Sequence, residues 1–110
     1  MKVELKKIEI EGVDASNFWP VDEYFFSIIL DLSIGPERKD CSNSYRLRVC
    51  SCSFVREFYS DPSILISTMI TKNYDFEKIK SKIESLIDEC EGKDYDACIT
   101  KLSMIFARMF

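Results

Sequence analysis

Apolar residues fall at every second position along Phe26, Ile28, Leu30, Leu32 and Ile34. A period of two is the strand period, so these five side chains share one face. The alternate positions, Phe25, Ser27, Ile29, Asp31 and Ser33, begin apolar and end polar. One apolar face and one mixed face predict a central strand over Tyr24–Pro36, with helices on the apolar side. Gly35-Pro36 is expected to end it, since proline cannot donate to a ladder and glycine accepts turn dihedrals.

The same pattern predicts the flanking elements. Lys2–Ile10 reads as a first strand. Val3 and Leu5 share one face and Ile8 and Ile10 the other, which calls for a bulge near Lys6-Lys7. Glu11–Glu23 reads as a loop. Tyr45–Cys52 alternates again, with Tyr45, Leu47 and Val49 on one side. Ser53 is placed to cap a short helix bearing Phe54, Val55, Phe58 and Tyr59, which Asp61-Pro62 ends. The β-branched run Ile64–Thr71 predicts a fourth strand. From there the period changes. Phe76, Ile79, Ile83, Leu86, Ile87 and Cys90 recur at spacings of three and four, predicting a helix capped by Asp75. Tyr74 and Ile79 stand at the positions of a hydrophobic staple, and Gly92 is expected to stop the helix in a left-handed conformation. Asp94 caps a last helix with Tyr95, Cys98, Ile99, Leu102, Ile105, Phe106 and Met109 facing inward. The fold class is therefore α+β. It comprises a four-stranded antiparallel or mixed sheet, a short helix, and two C-terminal helices packed on one face. Residues 1–110 form one domain.

Composition narrows the chemistry more than it reveals any. With 46% apolar residues in 110, the chain can bury a core. No apolar run is long enough to span a membrane. The charged N-terminus lacks the apolar stretch of a signal peptide, so a cytoplasmic location is expected. Fifteen basic and 19 acidic residues give a net charge of −4, which disfavours nucleic acid and anionic membrane as partners and suits a basic protein. There is no histidine, and the three glycines lie far apart. A histidine-assisted nucleophile and a phosphate-cradling loop are thereby excluded, and no enzyme, cofactor or small-molecule substrate is expected. The five cysteines, Cys41, Cys50, Cys52, Cys90 and Cys98, read as reduced, structural thiols without a metal. A zinc site from Cys50, Cys52, Cys90 and Cys98 is the weaker alternative, because their spacing is not that of paired Cys-x-x-Cys ligands.

Two surfaces stand out as contact candidates. Asp88, Glu89, Glu91, Asp94 and Asp96 make an acidic corner between the last two helices. The first three oppose the helix macrodipole, at about 0.3–1 kcal/mol each if exposed. The loop Glu11, Asp14, Trp19, Asp22 and Glu23 pairs acids with a large aromatic before Pro20. Trp19 is either a lid over the core edge or a binding anchor. The acidic corner is equally a solvated turn.

The ordered segments carry a resemblance. Met1-Lys2-Val3-Glu4-Leu5-Lys6, Asn17-Phe18-Trp19-Pro20, Leu32-Ser33-Ile34-Gly35-Pro36, Ser44-Tyr45 with Val49-Cys50, Tyr74-Asp75, and Cys90-Glu91-Gly92-Lys93 leading to Leu102-Ser103 occur in this order. Together the chain resembles the Immunity protein 8 family of bacterial polymorphic-toxin and contact-dependent growth inhibition systems. It departs from that pattern at Asp94-Tyr95 and in its last residues, Phe106 to Phe110. The resemblance implies a cytoplasmic inhibitor. Such a protein binds one cognate toxin domain, a basic nuclease, as a heterodimer and blocks it by stoichiometric occlusion. It marks no catalytic residue. A small adaptor or assembly subunit without a toxin remains an alternative reading, and a carboxylate-based enzyme a further one.

Overall fold

The computed structural model describes residues 1–109. Its organising element is β3 (Ser27–Pro36), central in the sheet as the alternation requires. Leu30, Leu32 and Ile34 are at most 1% exposed. β1 (Val3–Ile10) pairs antiparallel with one side of β3, and β4 (Asn43–Ser51) with the other. The expected bulge in β1 is present as a register shift between Leu5 and Lys7. It lets Val3, Ile8 and Ile10 all reach the core despite their broken parity.

Among the described residues the sheet has six strands rather than four. One extra strand is β2 (Val13–Asp14), which folds back on β1 inside the stretch expected to be loop. Glu11 (φ 51°) and Gly12 (φ 80°) form the two-residue turn. Positive φ at both positions matches the twist of a hairpin, and glycine supplies one of them without strain. A 3-10 helix, Ala15–Asn17, follows. β5 (Thr68–Thr71) is half the length expected from Ile64–Thr71, and it runs parallel to β4. Ser67, at φ 46°, interrupts the extended run, leaving Ile64 and Ile66 88% and 78% exposed. The parallel crossover is made by α1 (Cys52–Phe58) and the loop after it. The cap of α1 is Ser51 rather than Ser53; the buried Ser51 Oγ accepts the Phe54 N–H at 3.2 Å and the Phe26 N–H at 3.1 Å. Ser53 instead donates to the Tyr24 carbonyl.

α2 (Phe76–Asp88) and α3 (Tyr95–Leu102) bury Ile79, Ile83, Ile87, Cys98 and Leu102 in the core shared with the apolar sheet face. Asp75 and Asp94 cap them, accepting the Lys78 and Ala97 N–H groups at 3.2 and 2.8 Å. The last helix is shorter than its pattern suggested. After Leu102 the chain turns and forms β6 (Ala107–Met109), antiparallel to the first half of β4. Phe106, fully buried against the Tyr45 ring at 6.4 Å, anchors this return.

Both glycines expected to serve turns act through close approach instead. β3 continues through Gly35 and Pro36, and a Cβ on Gly35 would stand 1.9 Å from the Cys41 carbonyl oxygen. Gly92 has no positive φ; its Cβ would press on Ala97 at 2.8 Å. The Gly92 N–H donates to the Met1 carbonyl at 3.1 Å, and its carbonyl accepts from the N-terminal ammonium. No helix among the described residues is long and apolar enough to cross a membrane.

Candidate functional site

The five cysteines do not assemble. Cys50, Cys90 and Cys98 are buried, while Cys41 and Cys52 are exposed. Cys50 donates to Ser27, Cys90 to the Leu86 carbonyl and Cys98 to the Met1 carbonyl. Burial pushes the Cys90 thiol above its ordinary range. Among the described residues, no cluster of cysteine or carboxylate side chains is arranged to hold a metal.

The two acidic surfaces lie at opposite ends of β1. Gly92, in the corner, bonds to Met1 just before the strand, whereas Glu11 follows its last residue. Eight residues of strand separate them, roughly 23–26 Å at 3.3 Å per residue.

At the corner, Asp94 is committed to capping α3. Two cations from elsewhere in the chain stand near the end of α2. Lys101 Nζ donates to the Glu91 carbonyl at 2.6 Å, and Lys2 lines the same hollow as Asp88 and Glu91. Cations are favoured at a helix C-terminus, so these two oppose the electrostatic cost read from the local sequence. Glu89 and Asp96 are exposed.

The loop is built differently. Asp14 caps the 3-10 helix, accepting from the Ser16 N–H and hydroxyl at 2.9 and 2.8 Å; these bonds, with the Lys80 charge, hold its carboxyl below the usual range. Asp22 accepts the Tyr24 N–H at 2.9 Å and so shapes the turn into β3. Both acids have structural work. Trp19 and Glu23 are brought together over the start of α2. The Tyr74 N–H donates to the Glu23 carbonyl at 2.7 Å, and the Trp19 ring stands edge-on to Tyr74 at 5.3 Å. Tyr74 is 2% exposed and also carries Phe18 and Phe26 edge-on, at 5.8 and 5.5 Å. Trp19 covers the core edge as a lid, yet 64% of it remains exposed. With Glu23, Asp75 and Glu77 it borders a hollow of about 380 Å³ that has no basic side chain in its wall.

Two neighbouring features went unread in the sequence. Phe25, Phe54 and Phe58 cluster at 4.6–5.9 Å, with Phe58 63% exposed. A groove of about 730 Å³ also lies between the hairpin turn, Asn17-Phe18 and the first half of β3, with Glu11 on its lip. Phe54 and Phe58 share the stripe of α1, but their meeting with Phe25, like the groove, joins segments far apart in sequence.

No curated protein and no solved structure matches the chain. The family model for Immunity protein 8 matches residues 3–110, which takes in every strand and helix described above. The chain therefore belongs to the Immunity protein 8 family.

Proposed function

We propose that this chain, acting as one domain in the cytoplasm, binds the toxin domain encoded beside it and neutralises it by stoichiometric occlusion, without enzymatic activity of its own. The toxin is a basic nuclease in this reading, and the system is one of contact-dependent growth inhibition. Family membership across residues 3–110 is the observation that carries the proposal. The net charge of −4 supports a basic partner, because complementary fields raise association rates and reject wrong partners.

Of the two acidic surfaces, the loop is the better contact. It combines a 64% exposed tryptophan with the Glu23 and Glu77 carboxylates, whereas no large exposed hydrophobic side chain of the described residues lies among the acids of the corner. Buried aromatic anchors ringed by polar groups dominate binding energies; rim charges contribute mainly to rates.

The test is co-expression with the neighbouring toxin domain, followed by co-purification and a growth-protection assay. A one-to-one complex and full protection are expected. A toxin that remains active in the presence of excess folded protein would refute the proposal. A protein that instead co-purifies with an unrelated assembly would favour an adaptor.

A further inference from the structure

The first half of β3 is half bare. The Ser51 N–H donates to the Phe26 carbonyl, and the Arg48 N–H points the other way, to the Ser67 carbonyl. Residues of an antiparallel strand alternate between facing one neighbour and the other. Ile28 and Leu30, in register with Val49 and Leu47, therefore bond to β4, while Ser27 and Ile29 aim N–H and C=O groups toward the β1 side. On that side β1 pairs with β3 only as far as Glu9 opposite Asp31, because the chain then turns at Glu11-Gly12 into β2. No strand of the described residues meets Ser27 or Ile29 there. The vacant position is the 730 Å³ groove, walled by Ile10, Val13 and Phe18, with Ile28 and Ile29 on the bare strand.

We infer that an extended segment of the toxin adds to β3 in this groove as a new strand. This deepens the immunity reading and rests on it. Unpaired ladder groups select an extended backbone, and the apolar walls select its side chains. The charges select a basic partner. Among the charged groups lining the groove, Asp31 and Arg46 neutralise one another at 3.0 Å, which leaves the Glu11 carboxylate at the lip. The segment is accordingly apolar along its length, with a lysine or arginine where it passes Glu11.

Amide hydrogen exchange of the full chain, alone and with the neighbouring toxin domain, tests this. Exchange at Ser27 and Ile29 should slow at least ten-fold in the complex. Val13→Lys, at a 59% exposed wall position, should weaken binding at least ten-fold with the melting temperature unchanged. A complex that forms with exchange at both amides unchanged, or that tolerates Val13→Lys, would overturn the docking mode alone. Protection that grows with the concentration of this chain by itself would assign the edge to a second copy, and also overturn it. Failure to form any complex would overturn the immunity reading, and this inference with it.

Discussion

The two ends of β1 carry similar charge and differ in almost everything else. At its start, the α2–α3 corner is closed: Gly92 is fastened to Met1, Asp94 caps a helix, and Lys2 and Lys101 stand among the acids. At its finish, the chain leaves work undone. Trp19, Val13 and Ile29 are exposed, and β3 shows two residues of unpaired ladder. Acidic composition alone therefore does not tell the two ends apart. What separates them is whether the protein has already satisfied its own groups, since unsatisfied backbone and exposed apolar area are what a partner can improve.

The largest expected effect lies beneath the open end. Tyr74→Ala should lower the unfolding free energy by about 3 kcal/mol or more, because it empties a buried site that supports three rings. Chemical denaturation measures it, and a loss below about 1 kcal/mol would show that the loop does not depend on this floor. Next is Trp19→Ala, which should cost about 2 kcal/mol of toxin affinity, roughly thirty-fold in Kd. Because Trp19 is mostly exposed, stability should change little. Calorimetry showing unchanged affinity would erase the contrast between the two ends.

A smaller effect is expected at the closed end. Asp94→Ala removes the side-chain acceptor of the Ala97 N–H and should cost about 1 kcal/mol of stability, with toxin affinity unaltered. An affinity loss exceeding the stability loss would return the corner to the interface.

How far the sequence could reveal this contrast depended on distance along the chain. β1 with its bulge, β3, β4 and the apolar stripe of α2 were legible because each is a short periodic pattern. The return of β6 was not. The five residues Ile105–Met109 fit either period, and the deciding contact, Phe106 against Tyr45, spans the chain. The hairpin was missed because Glu11-Gly12 lacks the usual asparagine or aspartate before glycine. In the candidate site, Trp19 and Glu23 were visible by composition. Glu77, the Tyr74 floor and the bare half of β3 arise only from tertiary pairing. So does the placing of Lys2 and Lys101 near the corner acids, whose absence from the local sequence made the corner look frustrated.

Alkaline titration separates the corner thiol from the buried tyrosines with a still smaller signal. Burial raises the Cys90 thiol above its ordinary 9.0, and the Tyr45, Tyr74 and Tyr95 hydroxyls above their ordinary 10.0. In each case the native state favours the neutral form, while the unfolded chain ionises at the ordinary value. The associated stability is complete below that value and is lost as pH rises through the raised one. The melting temperature should therefore begin to fall near pH 9 and fall faster beyond 10. Cys90→Ala should remove the earlier phase and leave the later one. A single phase unaffected by that substitution would mean the thiol is not sheltered.

The smallest effect is the most discriminating for the corner. From the local sequence, Asp88→Lys should stabilise the protein, since a lysine suits a helix C-terminus and an aspartate opposes it, by about 0.3–1 kcal/mol. In the folded chain, the new ammonium enters a hollow that Lys2 already lines, and Lys101 already serves the Glu91 carbonyl. Removing Asp88 takes away a neighbour of Lys2, and adding a lysine sets like charges beside one another. The gain against the dipole and the loss against Lys2 are comparable at a solvated surface, where screened pairs contribute about 0–1 kcal/mol. The net change should lie within about 0.5 kcal/mol of zero, and it should shift toward stabilisation in high salt if repulsion from Lys2 is the more strongly screened of the two. Asp88→Lys combined with Lys2→Ala removes the opposing charge and should recover the dipole gain. Urea denaturation of the single and double variants makes the comparison. A single variant that is already stabilised by the full amount would show that Lys2 does not compensate the corner, and the acids there would again be unexplained by the fold.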